Sequence, residues 1–508
     1  MGVIARQSIK GSLANYLGVA IGFVTTFFVL TDCLTQEQIG LTRVMVDAGI
    51  LFSSLAQLGS SATILRFFPY FRTTDGDDSH HGIFGWALLL PFFGYLLVVL
   101  LFLLFGDNIK GVYAERSPMV VDYFYLLLPL IFVGLYQTMF ETCASVLMRI
   151  TVPKMVREVG IRLMTLTCYL LYGHGVVSFD LFMYLFCGAY AVAMLLNLAY
   201  LLSLGKISFK IEWKFLDAKR TREMIGYTLF MTVTILSSYA PTFNTLFLGA
   251  KTGLAMTGVY AIAMYISNIV DIPYRSLGAI SRPVIARSVK EDDWNEVNHM
   301  GQQVSVHQFM VSSLLLFFIS INLTPLYAVI PHGAEYVGGI SVVLIMGIAK
   351  VVNSSLAISC DVLNFSRYYR HSLPLMVLLA ASSLLCNYWL VPLWGINGAA
   401  CATLISYVLY YLLLMSLIGW RLKVSLLCRG HLKVLALVAV LVGTHLLWNV
   451  IVVLHAHSIV WTLLAAALQT AVMALLTLIL LRWLNISDSV NDIIDRYILR
   501  PLHLGKKM

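Results

Sequence analysis

Residues Phe247–Arg287, FLGAKTGLAMTGVYAIAMYISNIVDIPYRSLGAISRPVIAR, decide how this chain is read. Lys251 marks a short loop. A long apolar run follows, exceeding the roughly 20 residues that a helix needs to cross a bilayer. Arg275, Arg282 and Arg287 then close it. One end of the run is poor in basic residues and the other is rich in them. The rest of the chain repeats this unit in alternating direction. Hydrophobic residues make up 59% of it and charged residues 12%, and mean hydropathy is +0.85.

Such runs are expected at about 9–30, 39–65, 82–105, 120–147, 157–177, 180–203, 224–249, 254–280, 304–330, 336–361, 371–392, 395–420, 433–454 and 458–482. Of the 34 Lys and Arg residues, 29 fall at the termini, in every second gap or at the run ends that border those gaps (Arg157, Arg162, Arg275, Lys433 and Arg482), from Arg6 and Lys10 to Lys506 and Lys507. Lys110, Arg116 and Lys251 fall in the other gaps, and Arg43 and Lys350 lie inside runs. This asymmetry is the positive-inside pattern of a polytopic membrane protein. It predicts an even number of spans with both termini in the cytoplasm. The net charge of +9 then reflects inner loops and their contact with anionic headgroups. Nucleic-acid binding is not expected, because the basic residues are scattered rather than gathered in a patch. Arg6 and Lys10 precede a long run with no small-residue cleavage site, so an uncleaved first span is expected rather than a signal peptide. The eight Cys residues form no CxxC pair, which points to neither a disulfide framework nor a zinc site.

The expected fold is all-α and integral to the membrane: about 14 transmembrane helices, as two six-helix bundles in parallel repeat plus two extra C-terminal helices. The bundles are residues 1–204 and 224–420, joined by a basic cytoplasmic linker at 205–223. The extra helix pair is 421–484, and 485–508 is a cytoplasmic amphipathic tail with apolar residues at helical spacing. The repeat is visible in span two, where Ile39-Gly40-Leu41 opens the run and Leu58-Gly59 closes it. Thr257-Gly258-Val259-Tyr260 and Leu277-Gly278 match these at nearly equal offsets. Parallel repeats of this kind are common in secondary transporters.

Three stretches resemble a known family. They are Gln38–Pro69, Phe247–Arg287 and Leu390–Tyr407, the last reading LVPLWGINGAACATLISY. The chain is similar to the O-antigen type of polysaccharide flippases in the multidrug/oligosaccharidyl-lipid/polysaccharide exporter superfamily. The resemblance implies a two-bundle transporter of the bacterial inner membrane that works by alternating access. It would move an undecaprenyl-diphosphate-linked oligosaccharide from the cytoplasmic to the periplasmic leaflet for lipopolysaccharide or other surface-polysaccharide synthesis. A polysaccharide polymerase and glycosyltransferases of the same pathway would be its partners. One departure concerns span seven, where the family often has an acidic residue and this chain has Asn244.

Charge at mid-bilayer is rare and usually faces a polar cavity. Lys350 sits deep in its run, and Asn353, Ser354 and Asp361 follow at i+3, i+4 and i+11 on one helix face. This stripe suits a cavity for a diphosphate; the alternative is a structural Lys paired with a carboxylate from another span. Arg43 and Asp47, four apart on span two, are expected to pair, as a gate or packing pair or as part of a substrate or proton site. Asn268, Asp271 and Arg275 share a face beside Pro273, which breaks the backbone ladder. That suggests a hinge or a proton- or cation-responsive site, with a capped, kinked helix end as the plain alternative. Glu141 is a further candidate acid, with pairing to Arg162 or Arg149 as its structural alternative. Asn15, Tyr16, Tyr239, Asn244 and Thr245 are candidates for the same cavity. His80 and His81 follow DGDDS and are expected in a solvated turn rather than at a metal.

No phosphate-gripping glycine loop occurs, since GAKTG at 249–253 lacks the upstream glycine. Neither ATP nor any cofactor is therefore expected, and the drive would be an H+ or Na+ gradient, a membrane potential or removal of product. A drug or lipid exporter of the same fold is the nearest rival, but Lys350 and Arg43 favour an anionic ligand. A polytopic polymerase or glycosyltransferase is a rival of another class. It calls for a long outer loop or an acidic loop motif, and the outer loops here are short.

Overall fold

In a bilayer core every backbone N–H and C=O must be satisfied within the protein, which favours helix wherever an apolar run is long enough. The computed structural model describes residues 17–71, 80–205, 210–212, 217–451 and 459–485, and among these every regular element is helical. Ten stretches among the described residues are long and apolar enough to cross a membrane, from Gln36–Ala56 to Trp461–Leu484. One of them, Tyr369–Leu422, contains two of the expected runs. Gly395 divides it, at φ 54° and ψ −128°, a conformation that suits a residue without Cβ. The expected runs near 157–177 and 224–249 are helical but interrupted. The first is built from Thr151–Met155, Val156–Gly160 and Ile161–Gly173, the second from Ala218–Ser238, Ala240–Thr242 and Phe243–Lys251. With the shorter apolar helix Leu17–Cys33, these elements agree with about 14 helical passages. The 205–223 linker is described only in part, and the tail beyond 485 lies outside the described residues.

The chain divides by contact into two units. The first is Met1–Ile262 with Leu379–Ala399, and the second is Ala263–Leu378 with Ala400–Met508. In the first, Gln36–Ala56 starts with a capping box: Thr35 Oγ1 accepts from the Gln38 amide and Gln38 Oε1 accepts from the Thr35 amide. This helix packs on Leu127–Val146 and on the long Ile83–Ala114 helix. The core there is rich in aromatics, with Phe102 stacked on Phe124 at 5.1 Å and Phe182 and Phe186 also buried. In the second unit, the extra pair Arg429–Ile451 and Ile459–Leu484 docks on Trp294–Ile321. Val434, Leu437, Leu441 and Met473 bury themselves against Val306, Met310 and Phe317.

Two glycines of the sequence repeat meet inside the first unit. A Cβ on Gly40 would strike the Leu254 carbonyl, and a Cβ on Gly258 would strike the Gln36 carbonyl. The offset from Gln36 to Leu254 equals that from Gly40 to Gly258, so the contact is reciprocal between repeat-related positions. Small residues are what lets two membrane helices approach backbone to backbone.

The outward faces are apolar, as a lipid-facing surface requires. Leu104, Leu393 and Trp461 are all exposed. Trp420 beside Arg421 and Trp483 beside Arg482 are exposed at the basic ends of their helices, where Trp sits at the membrane–water boundary.

Candidate functional site

The second unit contains most of the charged candidates. Pro273 cannot donate to the backbone ladder. Ahead of it the chain tightens into a 3-10 turn, Asn268–Asp271, and helix resumes as Ile272–Lys290. Lys350 Nζ, on Ile340–Leu356, donates to Asp271 Oδ2 at 2.7 Å. The two side chains are only 14% and 13% exposed. Lys350 is therefore paired with a carboxylate from another span. Asp271 Oδ1 is also buried and takes no hydrogen bond among the described residues. Tyr407 lies within Coulombic reach of both partners. Asn268 is half-buried, and the side chain of Arg275 lies outside the description.

One turn beyond Lys350, Asn353 Oδ1 accepts from Tyr411 Oη at 2.9 Å, while Ser354 Oγ turns back to the Val351 carbonyl at 3.3 Å. The helix ends at Leu356 and a second begins at Ile358. The polar face read from Lys350 to Asp361 continues across this step, because both residues reach back by the same sequence offset to the stretch that carries Asp271 and Arg282, although Asp361 does not join the Lys350–Asp271 pair. Asp361 accepts instead from Arg282 Nε at 3.1 Å, and Arg282 Nη2 also donates to Tyr274 Oη at 3.0 Å. Cys360 Sγ, next to Asp361 in the chain, and Tyr410 Oη lie 3.2 Å apart.

In the first unit Arg43 Nε donates to Asp47 Oδ2 at 2.8 Å, and Thr245 Oγ1 donates to the same oxygen at 2.6 Å. Asn244 is fully buried in a neutral cluster. Its Nδ2 donates to Tyr260 Oη at 2.7 Å and its Oδ1 accepts from Asn387 Nδ2 at 2.8 Å. Asn387 carries no signal in the sequence beyond being a polar residue in an apolar run. Asn15 and Tyr16 lie outside the described residues.

The site that sequence reasoning missed is a cavity in this unit. It has a volume of about 240 Å³, and Ser53, Gln57, Gln137, Thr138, Tyr190 and Tyr239 contribute to its wall. Arg157 and Thr138 also line an adjoining groove of about 380 Å³, with Lys154, Glu141 and Glu158. Glu141 pairs with neither Arg162 nor Arg149. Arg157 Nη1, on the π-helical turn Val156–Gly160, donates to Glu141 Oε2 at 3.0 Å. Gln137 Nε2 donates to Glu141 Oε1 at 3.0 Å, one helical turn away. The signal available in the sequence was the pair Gln137 and Glu141 at i, i+4 within an apolar run. Arg157 was hidden among the basic residues of an inner gap.

His80 and His81 depart from the solvated turn expected of them. His80 is buried, its ring 5.4 Å from that of Phe68 and 5.8 Å from that of Phe84. His81 Nδ1 lies 2.7 Å from Glu212 Oε2. Apolar neighbours on both flanking helices take up the first ring and the linker takes up the second. No group of three or more metal-ligating side chains occurs among the described residues.

No family model and no curated protein matches the sequence. Solved structures do match the fold. A lipid II flippase, MurJ, in an inward closed conformation superposes with a TM-score of 0.71 at 11% identity, over 94% of this chain and 99% of that one. An inward-facing multidrug resistance transporter of the MATE family, in the MOP superfamily, gives 0.61 at 13% identity over 83% and 99%. A MOP superfamily transporter from Pyrococcus furiosus gives 0.54 at 13% identity over 82% and 95%. All three are transporters or flippases and none is an enzyme. The chain therefore has the MurJ/MATE-like all-helical fold.

Proposed function

We propose that this chain is a flippase that moves an undecaprenyl-diphosphate-linked oligosaccharide from the cytoplasmic to the periplasmic leaflet, for O-antigen or related surface polysaccharide. The observation that carries the reading is the extent of the fold likeness. Nearly the whole chain is covered by a lipid II flippase, whereas the multidrug transporter leaves more of it uncovered. The first-unit cavity adds support, since Ser53, Gln57, Gln137, Thr138 and Arg157 place hydrogen-bonding groups in an otherwise apolar wall. A polymerase or glycosyltransferase reading loses ground because the fold is shared with transporters. The residues 1–204 and 224–420 are the bundles that would rock against each other, with Arg43–Asp47 as a gating pair and the Pro273 break beside Asp271 as a hinge. Asp271, whose second oxygen has no hydrogen-bond partner among the described residues, is the first choice for coupling to H+ or Na+. Asp361 and Glu141 are secondary choices. Lys350 would answer to Asp271 and draw the diphosphate only when that pair opens.

The test is flux of a lipid-linked oligosaccharide in proteoliposomes, with and without an imposed pH or sodium gradient. Gradient-stimulated flux by the wild type is expected, and no movement of the glycolipid under any gradient or product trap would sink the flippase reading. Orientation is checked separately. Cysteines placed at His174 and Pro331 are expected to react with a membrane-impermeant reagent from the periplasmic side, and cysteines at Lys219 and Lys290 are not. Reaction at 219 from outside would overturn the span assignment, since one misplaced helix inverts every loop after it.

A further inference from the structure

We infer that the first-unit cavity is a saccharide subsite, in which Gln137 Oε1 accepts a hydrogen bond from a hydroxyl or acetamido N–H of the carried glycan and Glu141 positions it. This rests on the flippase reading. Gln137 is only 8% exposed, and its Oε1 has no hydrogen-bond partner among the described residues. A buried amide oxygen without a donor is unfavourable, so such groups in native structures usually face a ligand or an ordered water.

The direction of that oxygen is set by its neighbours. Arg157 holds the Glu141 carboxylate, which can only accept. Gln137 must present its N–H to Glu141, so its oxygen turns the other way; the network dictates the amide orientation. The remaining polar wall is also rich in acceptors. The Ser53 hydroxyl proton goes to the Ile131 carbonyl and that of Thr138 to the Gly134 carbonyl, leaving their oxygen lone pairs available. Gln57 Nε2 meets only the weak acceptor Met139 Sδ, at 3.6 Å, and supplies an underused donor. Tyr190 and Tyr239 add aromatic surface. The wall thus offers the Gln137, Ser53 and Thr138 oxygens as acceptors, Gln57 and the Arg157 guanidinium as donors, and two aromatic rings, without a carboxylate of its own; that mixture fits a ligand such as a sugar, which both donates and accepts and has apolar faces that pack on rings. Arg157 lines both this cavity and the adjoining groove, where Lys154 joins it, and a diphosphate attached to that sugar would reach the two cations there. Glu141 is a positioning residue here, since it acts through Gln137.

The experiment uses the full-length protein in lipid nanodiscs and two probes: a short-chain polyprenyl diphosphate carrying one N-acetylhexosamine, and the same lipid diphosphate without sugar. The wild type is expected to bind the glycosylated probe about tenfold more tightly, the scale of one buried hydrogen bond. Gln137→Leu is expected to reduce that ratio to less than about threefold while leaving affinity for the bare diphosphate within about twofold. Thr138→Val provides a second, near-isosteric loss of an acceptor, with a smaller fall in the ratio. Glu141→Gln frees the Gln137 amide to rotate and is expected to lower the ratio too, a readout that a purely structural Glu141 would leave unchanged. A ratio retained in Gln137→Leu, or no preference in the wild type, overturns the subsite and leaves the flippase reading intact. Failure of the wild type to bind or move either probe overturns both.

Discussion

Lys350→Ala is expected to abolish flux and to lower the amount of folded protein in the membrane. The substitution leaves the Asp271 carboxylate nearly buried, with Oδ2 stripped of its ion-pair donor and Oδ1 already without a hydrogen bond among the described residues. Breaking one side of a buried pair typically costs about 3–5 kcal/mol, because the surviving charge stays desolvated. Replacing both partners, as Lys350→Met with Asp271→Asn, removes that uncompensated charge and is expected to restore most of the folded protein. Flux then separates structure from function. If Asp271 couples transport, the double variant accumulates normally yet no longer responds to a pH or sodium gradient. Full gradient-driven flux in the double variant would reduce the pair to a packing device. Lys350→Arg is expected to keep part of the activity, since charge survives while the donor geometry changes. Protein level by quantitative immunoblot and flux in proteoliposomes are the two readouts.

Gly40→Ala is expected to destabilise the protein by about 1–3 kcal/mol, the range for overpacking a close contact, and Gly258→Ala by a similar amount. Each new methyl would meet a main-chain carbonyl, of Leu254 or Gln36, rather than a flexible side chain. Neither carbonyl can give way without moving its helix. The double variant supplies the sharper test. Both methyls push at one crossing, so once the first has separated the helices the second meets less resistance, and the effects are expected to add to less than their sum. Gly188→Ala serves as control. That glycine is helical with nothing within 4 Å of a built Cβ, and alanine there is expected to be neutral or slightly stabilising. Thermal unfolding in a single detergent compares all four variants with the wild type. Strict additivity of Gly40→Ala and Gly258→Ala would mean that the two contacts are independent.

The helices were legible in the amino-acid sequence because a bilayer imposes a local rule. Each segment must satisfy its own backbone and present apolar side chains over a fixed length. That rule needs no knowledge of neighbours, so the passages from Gln36–Ala56 to Trp461–Leu484 lie where apolar runs lie. The Pro273 break and the Arg43–Asp47 pair were legible for the same reason: a missing backbone donor and an i, i+4 spacing act within one helix. Gly40 and Gly258 stood out as a repeat, but that they touch was not readable from either one.

What only the tertiary structure decided is partner choice. Lys350 offered a cation for a ligand or for a carboxylate, and the sequence does not say which helix faces it. Asp271 answers from another span. Glu141 had Arg162 or Arg149 as its expected structural partner, and the fold pairs it with Arg157 instead. His80 followed a run of charged and small residues that reads as solvent-exposed, yet Phe68 and Phe84 bury it. The cavity at Gln137 is likewise a property of space between helices. Long-range contacts depend on how helix faces rotate and tilt against one another, and a shift of one residue in a kink or turn redirects every side chain beyond it. Local propensity therefore determines where the helices run, and packing determines which polar groups meet or are left facing a cavity.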